Sequence, residues 1–172
     1  MITAPPRPAA LATLPLRAHQ LPGFTPFSVR PARPDDGAAL AALSRPFARA
    51  GALRERPLSL YLSQAADFLV AQAPDGTLEG CLGVRVHPAA GVLYNFCVAR
   101  HRQGSGMGAR LLQAAFTAAR TRSLDTLFTA TTGSGRLFLS HGFRPASAAS
   151  APAAWADSLD PRRGARVLAR AL

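Results

Sequence analysis

The sequence predicts one domain of mixed α/β (α+β) class, and three observations carry that prediction. Two strand-like runs, Phe68 to Gln72 and Leu78 to Val86, are joined by Pro74-Asp75-Gly76-Thr77. In such a turn proline presets φ and glycine supplies φ > 0, so the pair reads as a hairpin. A third strand candidate, Val92 to Ala99, passes through a glycine-rich loop into the longest helical pattern, Ser105 to Arg122, with Leu111, Leu112, Ala115, Phe116 and Ala119 on its inward face. The 172 residues show no internal repeat and can bury a core without a structural metal or disulfides.

The elements follow in order. Residues 1–26 read as a disordered leader: they carry Arg and no acid, as a transit peptide does, but Pro5, Pro6, Pro8 and Pro15 break the amphipathic helix such a peptide needs. The domain spans 27–172. Phe27-Ser-Val-Arg-Pro alternates like an edge strand, and Pro34-Asp35-Asp36 starts a helix expected from Asp35 to Leu43. Pro46 and Gly51 punctuate the next stretch, and a second helix is expected from Leu58 to Phe68, with Leu58, Leu62 and Ala65 or Ala66 on one face. Arg54 and Arg56 lie between the two helices. After the long helix, Leu124 to Thr131 reads as a strand and Ser134 to Ser140 as a short helix stopped by Gly142. Phe143 opens a further strand.

Charge is permissive only. Twenty basic residues, all Arg, face nine acidic ones for a net charge of +11. That sign suits a polyanion, but the Arg residues are scattered and no aromatic-interleaved basic stretch occurs. No nucleic-acid partner is therefore expected, and a phosphate-rich cofactor accounts for the charge equally well. A genome biased towards Arg and Ala gives the same composition. No apolar run reaches the length of a membrane span and no secretory signal opens the chain, so a soluble protein without a membrane partner is expected. Cys81 and Cys97 sit in apolar stretches without CxxC spacing, which argues against zinc or another metal and against an extracellular disulfide scaffold. A reducing, cytoplasmic setting follows; a homo-oligomer stays open.

The segment that carries chemistry is Val98-Ala-Arg-His-Arg-Gln-Gly-Ser-Gly-Met-Gly-Ala, where Gln103, Gly106 and Gly108 fit Q-x-x-G-x-G. Glycine lets the backbone approach a ligand closely. The N–H groups left free at a helix start, reinforced by the helix dipole, point at an anion, which suits a pyrophosphate. Arg102 and Arg110 add charge nearby. A purely structural turn stays open, but two other phosphate-binding patterns fit less well. A dinucleotide fold sets its loop after the first strand with an acid about twenty positions on. Here the loop follows three or four strands, although Asp125 falls near that spacing. The Lys-Ser/Thr pair of a nucleotide-triphosphate loop is absent.

The order of elements, the Q-x-x-G-x-G motif and the later Phe138-Leu-Ser-His-Gly142-Phe143 resemble the GNAT superfamily of N-acetyltransferases from about Phe27 onward. The resemblance implies a GNAT-like, mostly antiparallel central sheet flanked by helices, with acetyl-CoA as acetyl donor. It places pantetheine along Cys97, Val98 and Ala99 and the pyrophosphate on Gln103, Gly104, Ser105, Gly106, Met107, Gly108 and Ala109.

A narrower resemblance is to the acetyltransferase domain of the N-acetylglutamate synthases. It rests on Arg45-Pro46-x4-Gly51-x-Leu53-x-x-Arg56, Asn95-Phe-Cys97-Val-Ala, Leu127-Phe128-x-x-Thr131-Thr132 and Arg163-x-x-Arg166-Val-Leu. In that family the residues matching Arg56 and Arg163 grip the substrate's carboxylates, and the one matching Cys97 offers its backbone N–H. Arg forks pair bidentately with carboxylates, of which glutamate has two. Solvated surface Arg is the plainer reading of both. The implied function is acetylation of the α-amine of glutamate or a similar small acidic amino acid, as in arginine biosynthesis. The alternatives are another amine, or a catalytically weakened acetyl-CoA-binding regulatory module.

The chain departs from the pattern at one telling place. The family's general base, a Glu three positions before the cysteine, is replaced by Tyr94. A phenol with a pKa of about 10 is a poor base at neutral pH. Thr131 keeps a hydroxyl where the family has Ser or Thr, Ala165 stands where Ser is usual, and Phe138 lacks the hydroxyl of the superfamily's frequent Tyr acid. The mechanism implied is direct transfer: the amine loses a proton and attacks the thioester, while backbone N–H groups near Val98 hold the oxyanion. Tyr94, or a water it orients, and Thr131 are the expected catalytic groups. Cys97, on an apolar strand, reads as an inert small hydrophobe, and His87 and His101 as loop residues. The chain is expected to lack the amino-acid-kinase-like domain of long synthases, and with it arginine feedback through that domain.

Overall fold

A computed structural model describes residues 26–172. The expected leader, 1–26, lies outside the described residues apart from Pro26. Seven strands, β1 Ser28–Pro31, β2 Phe68–Gln72, β3 Leu78–His87, β4 Ala90–Val98, β5 Thr126–Thr131, β6 Arg144–Pro145 and β7 Arg166–Ala171, form one sheet in the order β1-β2-β3-β4-β5-β7-β6. Only β4 and β5 pair in parallel. The other pairings are antiparallel, so the sheet is mixed and mostly antiparallel, as expected.

Strand alternation assigns each side chain to one of two cores. Along β2, Leu69 and Ala71 face one side of the sheet and pack with Leu82, Leu111 and Phe116 under α3 (Met107–Thr121). Phe68 and Val70 face the other side and pack with Leu40 of α1 (Gly37–Arg49) and Tyr61 of α2 (Leu58–Ser63). All five residues expected on the inward face of the long helix are buried. Each fully buried large side chain stabilises the fold by roughly 1.5–3 kcal/mol through area removed from water. Phe138 of α4 (Arg136–Ser140) and Phe143 close the α3 side. A third cluster, Ala90, Val92 and Phe128, is covered by Trp155 of α5 (Ala153–Ala156).

Three elements differ from expectation. The first helix opens as a 3-10 turn at Pro34–Asp36 and continues as α1 to Arg49, straight through Pro46. Proline removes one internal hydrogen bond there, and burial of Leu40, Ala41 and Ser44 outweighs the loss. The second helix is shorter and its buried residue is Tyr61, with Leu58 and Leu62 51% and 52% exposed, while Ala65 is buried as expected but in the 3-10 turn that follows. The Tyr61 hydroxyl finds a buried partner in Asn95, which settles the rotation of the helix. Strand β7 was not anticipated. Its Arg- and Ala-rich sequence has little strand preference, and ladders to β5 and β6 on its two edges supply what propensity does not. Among the described residues no helix is long and apolar enough to cross a membrane.

The rotation of α2 is open to a direct test by chemical denaturation. Tyr61→Ala should lose about 3–5 kcal/mol, in the range of aromatic truncations in a core. Leu58→Ala should stay within about 0.5 kcal/mol of the parent. The reverse order would restore the Leu58 face as the packed one.

Candidate active site

Strand β4 organises the site. It pairs with β5 only from Ala90 to Leu93, against Thr126 to Thr129, and then diverges from it. The Thr129 hydroxyl donates to the Leu93 carbonyl at 3.3 Å where the two strands part. Beyond the fork, Asn95 takes a left-handed conformation, φ 50°, and the register against β3 slips between Tyr94 and Cys97. The Asn95 side chain is what holds this bulge: it accepts from Tyr61 Oη at 3.0 Å and donates to Ser44 Oγ at 2.7 Å. Residues on either side of the bulge line different cavities.

Past the bulge, Phe96, Cys97 and Val98 line a cavity of about 440 Å³ together with Gln103, Gly104 and Gly106. Gly108 and Ala109 of α3 complete its floor beside Phe47 and Leu137. Gly104 and Gly106 sit at φ 80° and 82°, a region that favours glycine, while a Cβ on Gly108 would approach Leu137 to 2.9 Å. Gly106 caps α3, so the N–H groups ahead of Arg110, which already donates to Gly106, are free of helix partners. Gln103 ties the loop back to β4 by donating to the Val98 carbonyl at 3.1 Å. Backbone donors at a helix start, around a glycine-lined hollow, fit the phosphates and arm of coenzyme A.

Before the bulge, Val92, Leu93, Tyr94 and Asn95 line a second cavity of about 510 Å³. Four cations reach it, Arg54, Arg56, Arg85 and Arg163, against one carboxylate, Asp160. Three of the four are committed: Arg54 donates to the Ser158 carbonyl at 3.1 Å, Arg163 to the Gly51 carbonyl at 2.9 Å, and Arg85 pairs with Asp67 at 3.5 Å. Asp160 is itself held by Arg162, which keeps its carboxyl below the ordinary range. Arg56 is the exception, since its Nε is buried without a hydrogen-bond partner among the described residues. Burial lowers its pKa, though an arginine stays charged at any neutral pH. The Arg56 guanidinium carbon lies 5.0 Å from the centre of the Tyr94 ring, so its charge meets a π face there.

Several expected residues therefore meet and others do not. Arg56 and Arg163 line one cavity, and Gln103, Gly104, Gly106, Gly108 and Ala109 line the other with Cys97 and Val98. Ser105 and Met107 are in the loop, but Met107 is wholly buried and the Ser105 hydroxyl donates to the Arg102 carbonyl. The Ala99 N–H already donates to the Glu79 carbonyl at 2.7 Å, so it has no free donor to offer. Cys97 lies with the glycine loop rather than with the arginines, its Sγ 3.5 Å from that of Cys81.

The two expected catalytic groups, Thr131 and Tyr94, take different positions. Ala130 and Thr132 line the arginine cavity while Thr131, the alternate residue, faces away and accepts the Gly133 N–H at 3.2 Å. Tyr94 does line the cavity, but burial and the neighbouring Asp67 carboxylate push its phenol further up. Its hydroxyl donates to Asp67 at 3.2 Å.

Sequence reasoning also missed Glu79, Arg85 and Trp155. Glu79 is a buried acid whose carboxylate lies 3.0 Å from Arg102 and 3.0 Å from His101, pinning the loop from behind. An acid inside an apolar strand was the available signal. Arg85 carried none, and Trp155 sits in a segment without periodicity.

Comparison with known proteins agrees with this geometry. Residues 64–145 match the family model described as an acetyltransferase (GNAT) domain. An amino-acid acetyltransferase from Ralstonia nicotianae is 35% identical over 117 residues, 67% of this chain and 26% of that protein. Another from Pseudomonas fluorescens is 29% identical over 146 residues, 84% of this chain and 34% of that protein. The chain thus spans about a quarter to a third of the length of these relatives. The structure of N-acetylglutamate synthase from Neisseria gonorrhoeae, complexed with coenzyme A and N-acetyl-glutamate, superposes with a TM-score of 0.79 at 28% identity, over 85% of this chain and 35% of that one. Over residues 64–145, which hold β2 to β6 and the glycine loop, this chain carries a GNAT acetyltransferase domain.

Proposed function

We propose that this domain transfers an acetyl group from acetyl-CoA to the α-amine of a small acidic amino acid, glutamate being the best fit. One observation carries the reading: a single strand, β4, lines a glycine-floored cavity with one half and an arginine-rich cavity with the other. Acetyl-CoA supplies a thioester carbonyl that an amine can attack. The chain's own part is to present both molecules at the fork between β4 and β5. The start of α3 and Gly104 to Ala109 hold the phosphates, and the β4 backbone near Val98 offers the N–H groups that hold a developing oxyanion. Arg56 and Arg163 take the two carboxylates of the substrate. With Tyr94 held neutral by burial and Asp67, the amine's proton leaves to water in the open cavity. The ligands of the Neisseria synthase, coenzyme A and N-acetyl-glutamate, support the same pairing. We place the activity in a reducing, cytoplasmic compartment, a reading supported by Cys81 and Cys97 being buried free thiols.

The two cavities make separable predictions. Gly106→Val forces a β-branched residue to φ 82°, with open space around its Cβ, so the strain stays in the loop. Acetyl-CoA affinity by calorimetry should fall about tenfold or more, from strain of roughly 1–3 kcal/mol, while circular dichroism keeps the parent's spectrum. Unchanged affinity would remove the loop from the site. On the other side, Arg56→Ala or Arg163→Ala should cost about 2–5 kcal/mol, roughly thirtyfold or more in kcat/KM for glutamate, with acetyl-CoA affinity kept. Glutamine, which lacks the side-chain charge, is the control. Equal use of glutamate and glutamine by the parent would move the assignment to another amine.

A further inference from the structure

Tyr94 has no base role to play, yet the fold builds a seat for its ring. The residue opposite it on β3 is Gly83, where a Cβ would come within 2.6 Å of two ring carbons. A glycine inside a strand marks such a close approach. Phe68 meets the ring edge-on at 5.2 Å. The hydroxyl donates to Asp67, and Arg85 closes around that contact, lying 3.5 Å from both the hydroxyl and the Asp67 carboxylate while donating to Gln64. The ring is thus fixed at its face, its edge and its tip.

What the ring carries is charge. The guanidinium carbons of Arg56 and Arg85 lie over it at 5.0 and 4.9 Å from its centre. Arg85 is compensated by Asp67, but Arg56 has no ion pair among the described residues and its buried Nε has no partner. The π face of Tyr94 is the contact that meets the Arg56 charge, and a partly desolvated ring holds a cation more firmly than an exposed one.

From this we infer that Tyr94 is a positioning residue. Its ring, seated on Gly83, sets the Arg56 guanidinium in the cavity so that a substrate carboxylate is taken in a fixed geometry, and selection of dicarboxylate substrates depends on this stack rather than on the Tyr94 hydroxyl. The inference rests on the function proposed above for the identity of the substrate, but not for the existence of the stack.

Glutarate, an inert dicarboxylate, tests it by calorimetry, alongside kcat/KM for glutamate. Tyr94→Leu removes the ring and should weaken glutarate about tenfold, as expected for a partly buried cation–π contact, acting on KM rather than kcat. Tyr94→Phe keeps the ring and should restore most of that affinity with the parent's pH profile. Arg56→Lys, which keeps the charge and loses the flat face, should bind as weakly as Arg56→Ala, and adding Tyr94→Leu to it should change nothing more. The arginine variant carries the test alone if Tyr94→Leu does not fold, and parent-like glutarate binding by Arg56→Lys would overturn the inference. So would parent-like binding by Tyr94→Leu, equal losses in Phe and Leu, or a parent that does not bind glutarate at all. A parent that binds glutarate with the expected variant pattern but does not acetylate glutamate would uphold the stack and overturn the function proposed.

Discussion

The site depends on the left-handed backbone of Asn95 in the middle of β4. A non-glycine residue at φ 50° costs roughly 1–2 kcal/mol, and the fold must hold it there. It does so with two buried hydrogen bonds, from Tyr61 and to Ser44, each worth about 0.5–1.5 kcal/mol net. The penalty of leaving those groups unsatisfied, about 1–3 kcal/mol apiece, makes the arrangement hard to relax once formed. This explains why α1 and α2 pack where they do. They carry Ser44 and Tyr61 to one side chain, and in doing so they set the bulge that divides β4 between its two cavities.

The divergence of β4 from β5 is the second half of the same device. A fully zipped parallel pair would satisfy every backbone group and leave none for a ligand. Pairing stops at Leu93 and Thr129, and the opening is walled by elements that are far apart in sequence. Arg54 and Arg163 clasp the loop after α1 to the segment that leads into β7, each through a backbone carbonyl. The cationic character of the arginine cavity is therefore more local than the net charge of +11 implies. Arg54 and Arg85 are largely spent on structure, Arg163 gives one nitrogen to the Gly51 carbonyl and keeps the rest of its fork, and Arg56 makes no ion pair among the described residues.

The hairpin, the glycine loop and the inward face of α3 were legible in the sequence because each is governed by local rules: turn chemistry, left-handed glycine and the 3.6-residue period. The cofactor half of the site was legible for the same reason, since nearly all of it lies in one stretch, residues 96–109. The arginine cavity was legible only through family resemblance, because its walls meet through tertiary contacts that no window of sequence contains. Three misreadings share that cause. Leu58 and Leu62 are the natural apolar face of α2, yet the hydroxyl of Tyr61 finds its partner on β4 and turns the helix. Strand β7 exists because β5 and β6 need a neighbour. Thr131 carries the right hydroxyl on the wrong face of its strand. Tyr94 looked like a damaged base, and its meaning emerged only with Gly83 and Arg56 placed around its ring.

In the function proposed above, donor and acceptor meet across the bulge of β4. That meeting is tested most directly by an experimental structure of the chain with coenzyme A and N-acetyl-glutamate together. The phosphates should lie at the start of α3, the pantetheine thiol at the fork between β4 and β5, and the two product carboxylates on Arg56 and Arg163. Coenzyme A bound away from the Gly104 to Ala109 loop, or a product whose carboxylates touch neither arginine, would contradict it.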